Sequence, residues 1–312
     1  MANGEFDFYD KSTLKSYNLT SSMRYQLSML DKLDVFTRKH SENVASIVCR
    51  LCEYLHLNKS FTAYCTICAY LHDIGKIFIP PAILQKPARL TDEEYEIMKT
   101  HTILGYKMCM DDLELRPYAL GPKYHHECLD GTGYPEGLKG NQIPLEDQII
   151  KVADEYDAIV SKRQYKTHIK ISETLKILIK EAQPSTKEVA LDNAANGAKV
   201  GRLNKKVVKT LFKVVIEDTE YEISCLMGYI KFLKDEIKRL ETIQDYEKKM
   251  YNSKTEKKKK YYEEGMKLLF SEGENFDNYP NVLSEYKDAL ENRNGIIDSL
   301  FDEIKIIKKL KV

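Results

Sequence analysis

The chain carries no surplus of either charge. Its 312 residues hold 48 Lys and Arg against 48 Asp and Glu, a formal net charge of +0. A duplex nucleic-acid binder normally shows a basic excess, so that class is set aside. A small anionic ligand needs only a local basic patch and stays open. There is also no apolar run near the ~18 residues that a membrane span requires. Met1 to Lys15 has acidic and polar side chains where a signal peptide would have a basic start and an apolar core, so the expectation is a cytoplasmic protein. Strand-like alternation is almost missing. The seven cysteines are an odd number, and most fall in helical apolar patterns, as reduced thiols do and as a disulfide framework does not.

What is present is enough hydrophobic residue, 43%, for a packed core, arranged with helical spacing. The fold class read from it is all-α. Residues 1–20 are polar and aperiodic and read as a flexible lead-in, too short to hold a sensory domain. A helix is expected around Leu27, Leu30 and Leu33. The next carries Val44, Ile47, Val48, Leu51 and Leu55, with His40 opening it. Asn58 caps a third helix that delivers His72-Asp73, with Gly75 ending it and Pro80-Pro81 forcing an extended turn. Thr91 to Glu94 has capping-box form and starts one helix whose stripe is Ile97, His101, Leu104 and Met108. Residues 117–126 form a helix ending in His125-His126, followed by a shaped loop with Gly131, Gly133, Tyr134, Pro135 and Gly137. Pro144 precedes a helix bearing Asp154 and Asp157, and Ile171 to Ile179 is another. Val207 to Ile216 closes a first domain spanning 21–217.

Beyond about residue 218 the pattern changes to a helical extension, 218–312. Ile223, Leu226, Ile230, Leu233, Ile237 and Leu240 alternate three and four apart, a short heptad seam. It suits packing within the chain or, alternatively, a homodimer. Lys257 to Lys260 lies among glutamates and reads as a solvated helix face or linker rather than a nucleic-acid or lipid site.

The chemistry lies in the histidines. Five of the seven fall where they could converge: His40, His72, His101, His125 and His126. Asp73 and Asp154 join them, each at a helix end or on an inward face. Mixed nitrogen and oxygen donors suit borderline divalent metals such as iron, manganese or zinc. Seven ligands are too many for one tetrahedral ion. They fit two ions sharing a carboxylate, and Asp73 is the natural bridge because His72 beside it holds one ion. A metal pair clamps an in-line phosphoryl displacement and lowers the pKa of a bridging water. Lys76 would then neutralise a phosphate oxygen. Cys49-x-x-Cys52 and Cys65-x-x-Cys68 have zinc-ribbon spacing but sit inside helical apolar patterns, so they read as core thiols. His56 and His168 have no motif around them and read as surface residues.

His72-Asp73-Ile74-Gly75-Lys76, His101, His125-His126-Glu127, Asp130-Gly131-Thr132-Gly133-Tyr134-Pro135 and Ala153-Asp154-Glu155-Tyr156-Asp157-Ala158 resemble, in order and spacing, the HD-GYP family of the HD metal-dependent phosphohydrolases. The resemblance covers about residues 20–217. It implies a helical fold with a two- or three-metal centre, often iron or manganese, and hydrolysis of cyclic di-GMP to pGpG or GMP. It carries over His40, His72, Asp73, His101, His125, His126 and Asp154 as ligands and Lys76 as a phosphate-side lysine. Arg163 and Lys166 would contact substrate phosphates and guanine. The Gly-Tyr-Pro loop would be a contact for diguanylate cyclase domains or a structural turn. Trinuclear members have a glutamate four residues before the first histidine. Phe36 stands there, so two metals are expected rather than three. Two other readings stay beside this one: a phosphohydrolase on a different cyclic dinucleotide or nucleotide, and a non-catalytic dinucleotide receptor or scaffold.

Overall fold

A computed structural model describes residues 25–26, 28–161, 170–184 and 201–311. Among them the regular elements are helical, apart from an isolated antiparallel bridge between Asp130 and Lys139. The chain divides into two compact units, residues up to Val215 with Lys309–Val312, and Ile216–Lys308.

In the first unit, a 3-10 turn at Met29–Lys32 precedes helix α1, Val35–Tyr54. Asp34 caps α1 by accepting the N–H groups of Phe36 and Thr37, both at 3.1 Å, an arrangement that contributes ~1 kcal/mol. His40 therefore lies in the second turn rather than at the helix start, because Asp34 is the better cap. Exposed His56, in the left-handed region at φ 57, turns the chain out of α1. Asn58 then caps helix α2, Lys59–Leu71, through the Phe61 N–H at 2.8 Å. Val44, Ala45, Val48 and Leu51 of α1 are fully buried. Ile67 and Leu71 of α2 pack with Met29, Ile74, Cys109, Leu115 and Ala119. Each such aliphatic side chain contributes about 1.5–3 kcal/mol, an upper figure for an extended unfolded chain.

Helix α2 stops at Leu71, and the chain continues as a 3-10 turn over Ile74–Phe78. Gly75 sits inside that turn and is not a helix cap. A Cβ there would lie 1.9 Å from the His101 carbonyl oxygen and 2.6 Å from the Gly105 nitrogen. The glycine is needed for close approach. It lets the His-Asp turn lie directly on the helix that begins with His101. Pro81 opens the short helix α3, Pro81–Leu84, instead of an extended turn, since proline is well suited to a first helical position.

The stretch expected as one helix from Thr91 is two. Helix α4, Asp92–Lys99, carries the full capping box between Thr91 and Glu94. The chain breaks at Thr100, and α5 runs His101–Asp111. A 3-10 turn and helix α6, Leu120–Tyr124, lead to His125 and the Gly-Tyr-Pro loop. Helix α7, Leu145–Ser161, buries Ile149, Ile150, Val152 and Ala153, and α8, Ile171–Glu181, buries Leu175 and Leu178. Cys49, Cys52, Cys65 and Cys68 are buried inside α1 and α2. Burial pushes the Cys65 and Cys68 thiols up, and a protonated thiol is a poor metal ligand.

Helix α9 spans Lys205–Tyr251 without interruption, so the expected change of character near residue 218 falls inside a continuous helix. Nothing in Glu217-Asp218-Thr219-Glu220 breaks a helix. In the second unit, α9 is joined by α10, Glu256–Leu269, and α11, Tyr279–Lys309. Ile237, Leu240, Ile243, Met266, Tyr279 and Leu283 form its core. Ile223, Ile230 and Leu233 of the heptad seam are also buried within the single chain. That is how an intramolecular seam behaves, and it leaves this stripe covered rather than free for a second copy.

Candidate metal centre

Asp73 follows the last turn of α2 and leads the 3-10 turn, with 1% of its surface exposed. Its two carboxylate oxygens face different sets of histidines. Oδ1 lies 3.4 Å from His101 Nε2 and 3.9 Å from His125 Nε2. Oδ2 lies 3.3 Å from His72 Nε2 and 3.7 Å from His40 Nε2. The donor atoms accordingly fall into two groups, each within 4.8 Å: Asp73 with His101, His125 and His126, and Asp73 with His40 and His72. Asp154 borders the second group, 3.0 Å from His40 Nε2 and 4.0 Å from His72 Nε2. Helices α1, α2, α5, α6 and α7 thus bring together all seven residues singled out as ligand types.

Within this cluster, and among the described residues, two buried atoms have no hydrogen-bond partner, His72 Nε2 and Asp73 Oδ1. Orphaned buried polar atoms are expensive, by ~1–3 kcal/mol each, and here both point into the cluster. Nitrogen and oxygen donors around a shared carboxylate are the donor set that borderline divalent ions take. The residues present therefore fit a pair of such ions.

The electrostatics agree. Burial lowers the pKa of His101. Burial, followed by the neighbouring rings, lowers His125 and His126 much further. Such imidazoles are neutral at pH 7, the form that binds a metal. Burial would raise the Asp73 carboxyl, but the Lys76 ammonium and the His72 ring outweigh it and hold it well below the usual range. Asp154 is held low in the same way by its hydrogen bond to His40. His40 is the exception. Burial would lower it, yet the Asp154 and Asp157 carboxylates raise it to about 10. A cation is what those carboxylates call for, and in the protein alone the His40 proton serves.

Lys76 points into the centre, its Nζ donating to Asp73 Oδ2 at 2.5 Å. Burial would lower it, but Asp73 keeps it charged. Phe36, on the first turn of α1, is 73% exposed and carries no donor atom. Tyr134 of the Gly-Tyr-Pro loop stacks on His126 with centroids 4.6 Å apart. Cys68 packs against Gly121, at the start of α6. Arg163, Lys166 and His168 lie outside the described residues.

One more residue acts on the centre, and the sequence alone does not mark its role. Asp157, 4% exposed, accepts from His40 Nδ1 at 2.6 Å and from Asn43 Nδ2 at 3.1 Å. It orients the ring so that Nε2 faces Asp154 and Asp73. Its place three residues after Asp154, on the same helical face, was the available signal.

An all-helical unit with a buried His/Asp cluster split by a shared carboxylate defines a divalent-metal-binding helical domain. The chain belongs to the HD domain family, whose model matches residues 8–186, more than half of the sequence. It is 43% identical over 144 residues to a cyclic di-GMP phosphodiesterase of Thermotoga maritima, covering 45% of this chain and 39% of that protein. It is 40% identical over 127 residues to a cyclic di-GMP phosphodiesterase response regulator of Xanthomonas campestris pv. campestris, covering 40% and 34%. It is 33% identical over 150 residues to a 3'3'-cGAMP-specific phosphodiesterase of Vibrio cholerae, covering 48% and 33%. The matches thus span about two-fifths or less of each relative's length. Among the described residues no helix is long and apolar enough to cross a membrane.

Proposed function

We propose that this chain is a metal-dependent phosphodiesterase that hydrolyses cyclic di-GMP to pGpG or GMP. The observation that carries the reading is the division of Asp73, with Oδ1 toward His101 and His125 and Oδ2 toward His72 and His40. The names of the relatives from Thermotoga and Xanthomonas supply the substrate class.

In this reading His40, His72, Asp73 and Asp154 hold one ion, and Asp73, His101, His125 and His126 hold the other. Two divalent ions, iron or manganese, supply Lewis acidity and a water of lowered pKa. The protein's own part is positioning and charge. The depressed histidines offer neutral nitrogens, and the low-lying Asp73 and Asp154 stay ionised. Lys76 stands beside the reacting centre to pair with a phosphate oxygen, exchanging Asp73 for substrate. Arg163 and Lys166 complete the hold on phosphate and guanine. The half-buried Gly-Tyr-Pro loop as a contact for a cyclase domain goes with this reading, as does a division into a catalytic domain over 21–217 and an extension over 218–312.

A second reading, another cyclic dinucleotide, is favoured by the Vibrio relative, because the same ligands serve either substrate. The test is anaerobic incubation of protein loaded with Fe(II) or Mn(II) against a panel of cyclic di-GMP, 3'3'-cGAMP and cyclic di-AMP. Linear product from cyclic di-GMP, formed fastest in the panel, is the expected result. Binding without turnover by any of the three makes the chain a receptor and contradicts the proposal.

A further inference from the structure

Four of the five site histidines are set by a hydrogen bond at Nδ1. His72 Nδ1 meets Ala69 O at 2.6 Å, His101 meets Met98 O at 2.6 Å, and His40 meets Asp157 Oδ2 at 2.6 Å. His125 meets the carbonyls of Gly121 at 3.1 Å and Pro122 at 3.0 Å. This is the usual way a protein fixes the ring plane and tautomer of a metal-binding imidazole. His126 departs from it. Among the described residues its ring takes no hydrogen bond, and it is held by rings alone. His125 lies 4.1 Å away, His101 5.1 Å away and perpendicular, and Tyr134 4.6 Å away with an interplanar angle of 24°. His125 and His101 are themselves fixed, so the orientation of His126 depends on whether Tyr134 is held flat against it.

Tyr134 is on a loop, and one side chain ties that loop down. Glu127, 2% exposed, accepts three backbone N–H groups: Glu136 at 2.7 Å and Gly137 at 3.1 Å on Oε1, and Leu138 at 2.9 Å on Oε2. The loop is pressed onto the backbone that carries this carboxylate. A Cβ on Gly133 would lie 2.3 Å from the Cys128 nitrogen and 2.5 Å from Glu127 Cα. Tyr134 adds a long backbone bond of its own, its N–H donating to the His126 carbonyl at 3.4 Å, and the remaining ties are nearer the surface. Thr132 bonds Asp130, and Lys123 pairs with Glu136, whose side chain is 43% exposed. Exposed pairs contribute ~0–1 kcal/mol, whereas hydrogen bonds to a buried charge are about twice as strong as neutral ones.

We propose that Glu127 is a positioning residue of the metal centre: by closing the Gly-Tyr-Pro loop on three backbone N–H groups it holds Tyr134 against His126, and through that stack it sets the imidazole. The proposal rests on the reading that His126 binds a metal ion. A carboxylate is required because three donors converge on two oxygens. Glutamine offers one acceptor oxygen and would turn an NH2 toward a backbone N–H. Aspartate falls short by one carbon–carbon bond, ~1.5 Å.

The test is a mutant cycle on Mn(II) affinity of the full chain, read by titration, with Glu127→Gln, Tyr134→Leu and the double variant. Glu127→Gln is expected to weaken one of the two ions about 10–100-fold, Tyr134→Leu to do the same, and the pair together to be no worse than either alone. Amide exchange at 136–138 should quicken in Glu127→Gln. Losses that add in the double variant, or an unchanged affinity with a loosened loop, overturn the proposal. If Glu127→Gln lowers helicity, Glu127→Asp carries the same cycle. The readout needs no turnover, so a protein inactive on cyclic di-GMP still answers it. His126→Ala separates the two ideas, because unchanged affinity there removes His126 as a ligand and with it the reading on which the proposal rests.

Discussion

His40 Nδ1 lies 2.6 Å from Asp157 Oδ2, and the same ring turns Nε2 to Asp154 at 3.0 Å. The imidazole is thus strung between a carboxylate that orients it and one that faces the metal centre with it. Removing the first should cost orientation while leaving the ligand in place. Asp157→Ala is expected to lower the affinity for one ion by about 10–100-fold, and Asp157→Asn, which keeps an acceptor, by less. Calorimetric titration with Mn(II) checks this. Equal affinities in wild type and Asp157→Ala would reduce Asp157 to a packing residue.

Gly75 lets the His-Asp turn touch α5. A methyl group there would meet the His101 carbonyl and the Gly105 nitrogen, both backbone atoms that cannot swing aside. Gly75→Ala is expected to destabilise the metal-free protein by about 2–4 kcal/mol and to separate Asp73 from His101. Chemical denaturation gives the first number and metal content the second. A variant as stable as wild type would show that the contact relaxes freely.

Asp147 gives a prediction about pH. It is fully buried near the start of α7, and among the described residues neither carboxylate oxygen has a hydrogen-bond partner. Burial first, then the Glu146 and Glu127 carboxylates, push its pKa well above the ordinary 3.8. The folded state therefore keeps a proton that the unfolded chain has released. Stability from this group is complete below the unfolded pKa and is lost as pH rises toward the folded one. Asp147→Asn does not titrate, so it should be more stable than wild type near neutrality. Its lead should grow as pH rises above the ordinary carboxylate range, by up to about 1.4 kcal/mol per pH unit. Denaturant melts at rising pH decide it, and a constant difference would mean that Asp147 is ionised in the fold.

Lys76 is held charged by Asp73 and sits beside both metal groups. Lys76→Met should leave two ions bound while kcat falls about 10²–10³-fold, the scale of losing one fixed positive partner for developing charge. A fall in metal content that matches the fall in rate would make Lys76 a support for Asp73 and not a substrate contact.

Much of the centre is legible in the sequence, for a physical reason. Histidine and aspartate inside apolar helical stripes are costly unless something pairs them, so His72-Asp73, His101 and Asp154 stand out where an exposed pair would not. Caps are equally readable, as Asn58 and the Thr91–Glu94 box show. Breaks without a breaker residue are not. Thr100, whose hydroxyl donates to the Ile97 carbonyl at 2.6 Å, divides α4 from α5, and no glycine or proline marks the place. Conversely, the change from domain pattern to heptad pattern near residue 218 lies close to the border between the two compact units but marks no helix end, since α9 runs through it. Gly75 looks like a cap in the sequence because its real partner, the His101 carbonyl, is distant along the chain. Asp157 and Glu127 escape notice as actors since each works on a neighbour, His40 or a loop backbone, that only the folded chain brings near.

Electron paramagnetic resonance of the Mn(II)-loaded protein tests most directly whether Asp73 joins two ions in one centre. Two Mn(II) per chain are expected, with the spectrum of an exchange-coupled pair, and that coupling should be lost in Asp73→Ala. Two ions that give only the signal of isolated Mn(II), or a single ion at saturation, would contradict a bridging Asp73.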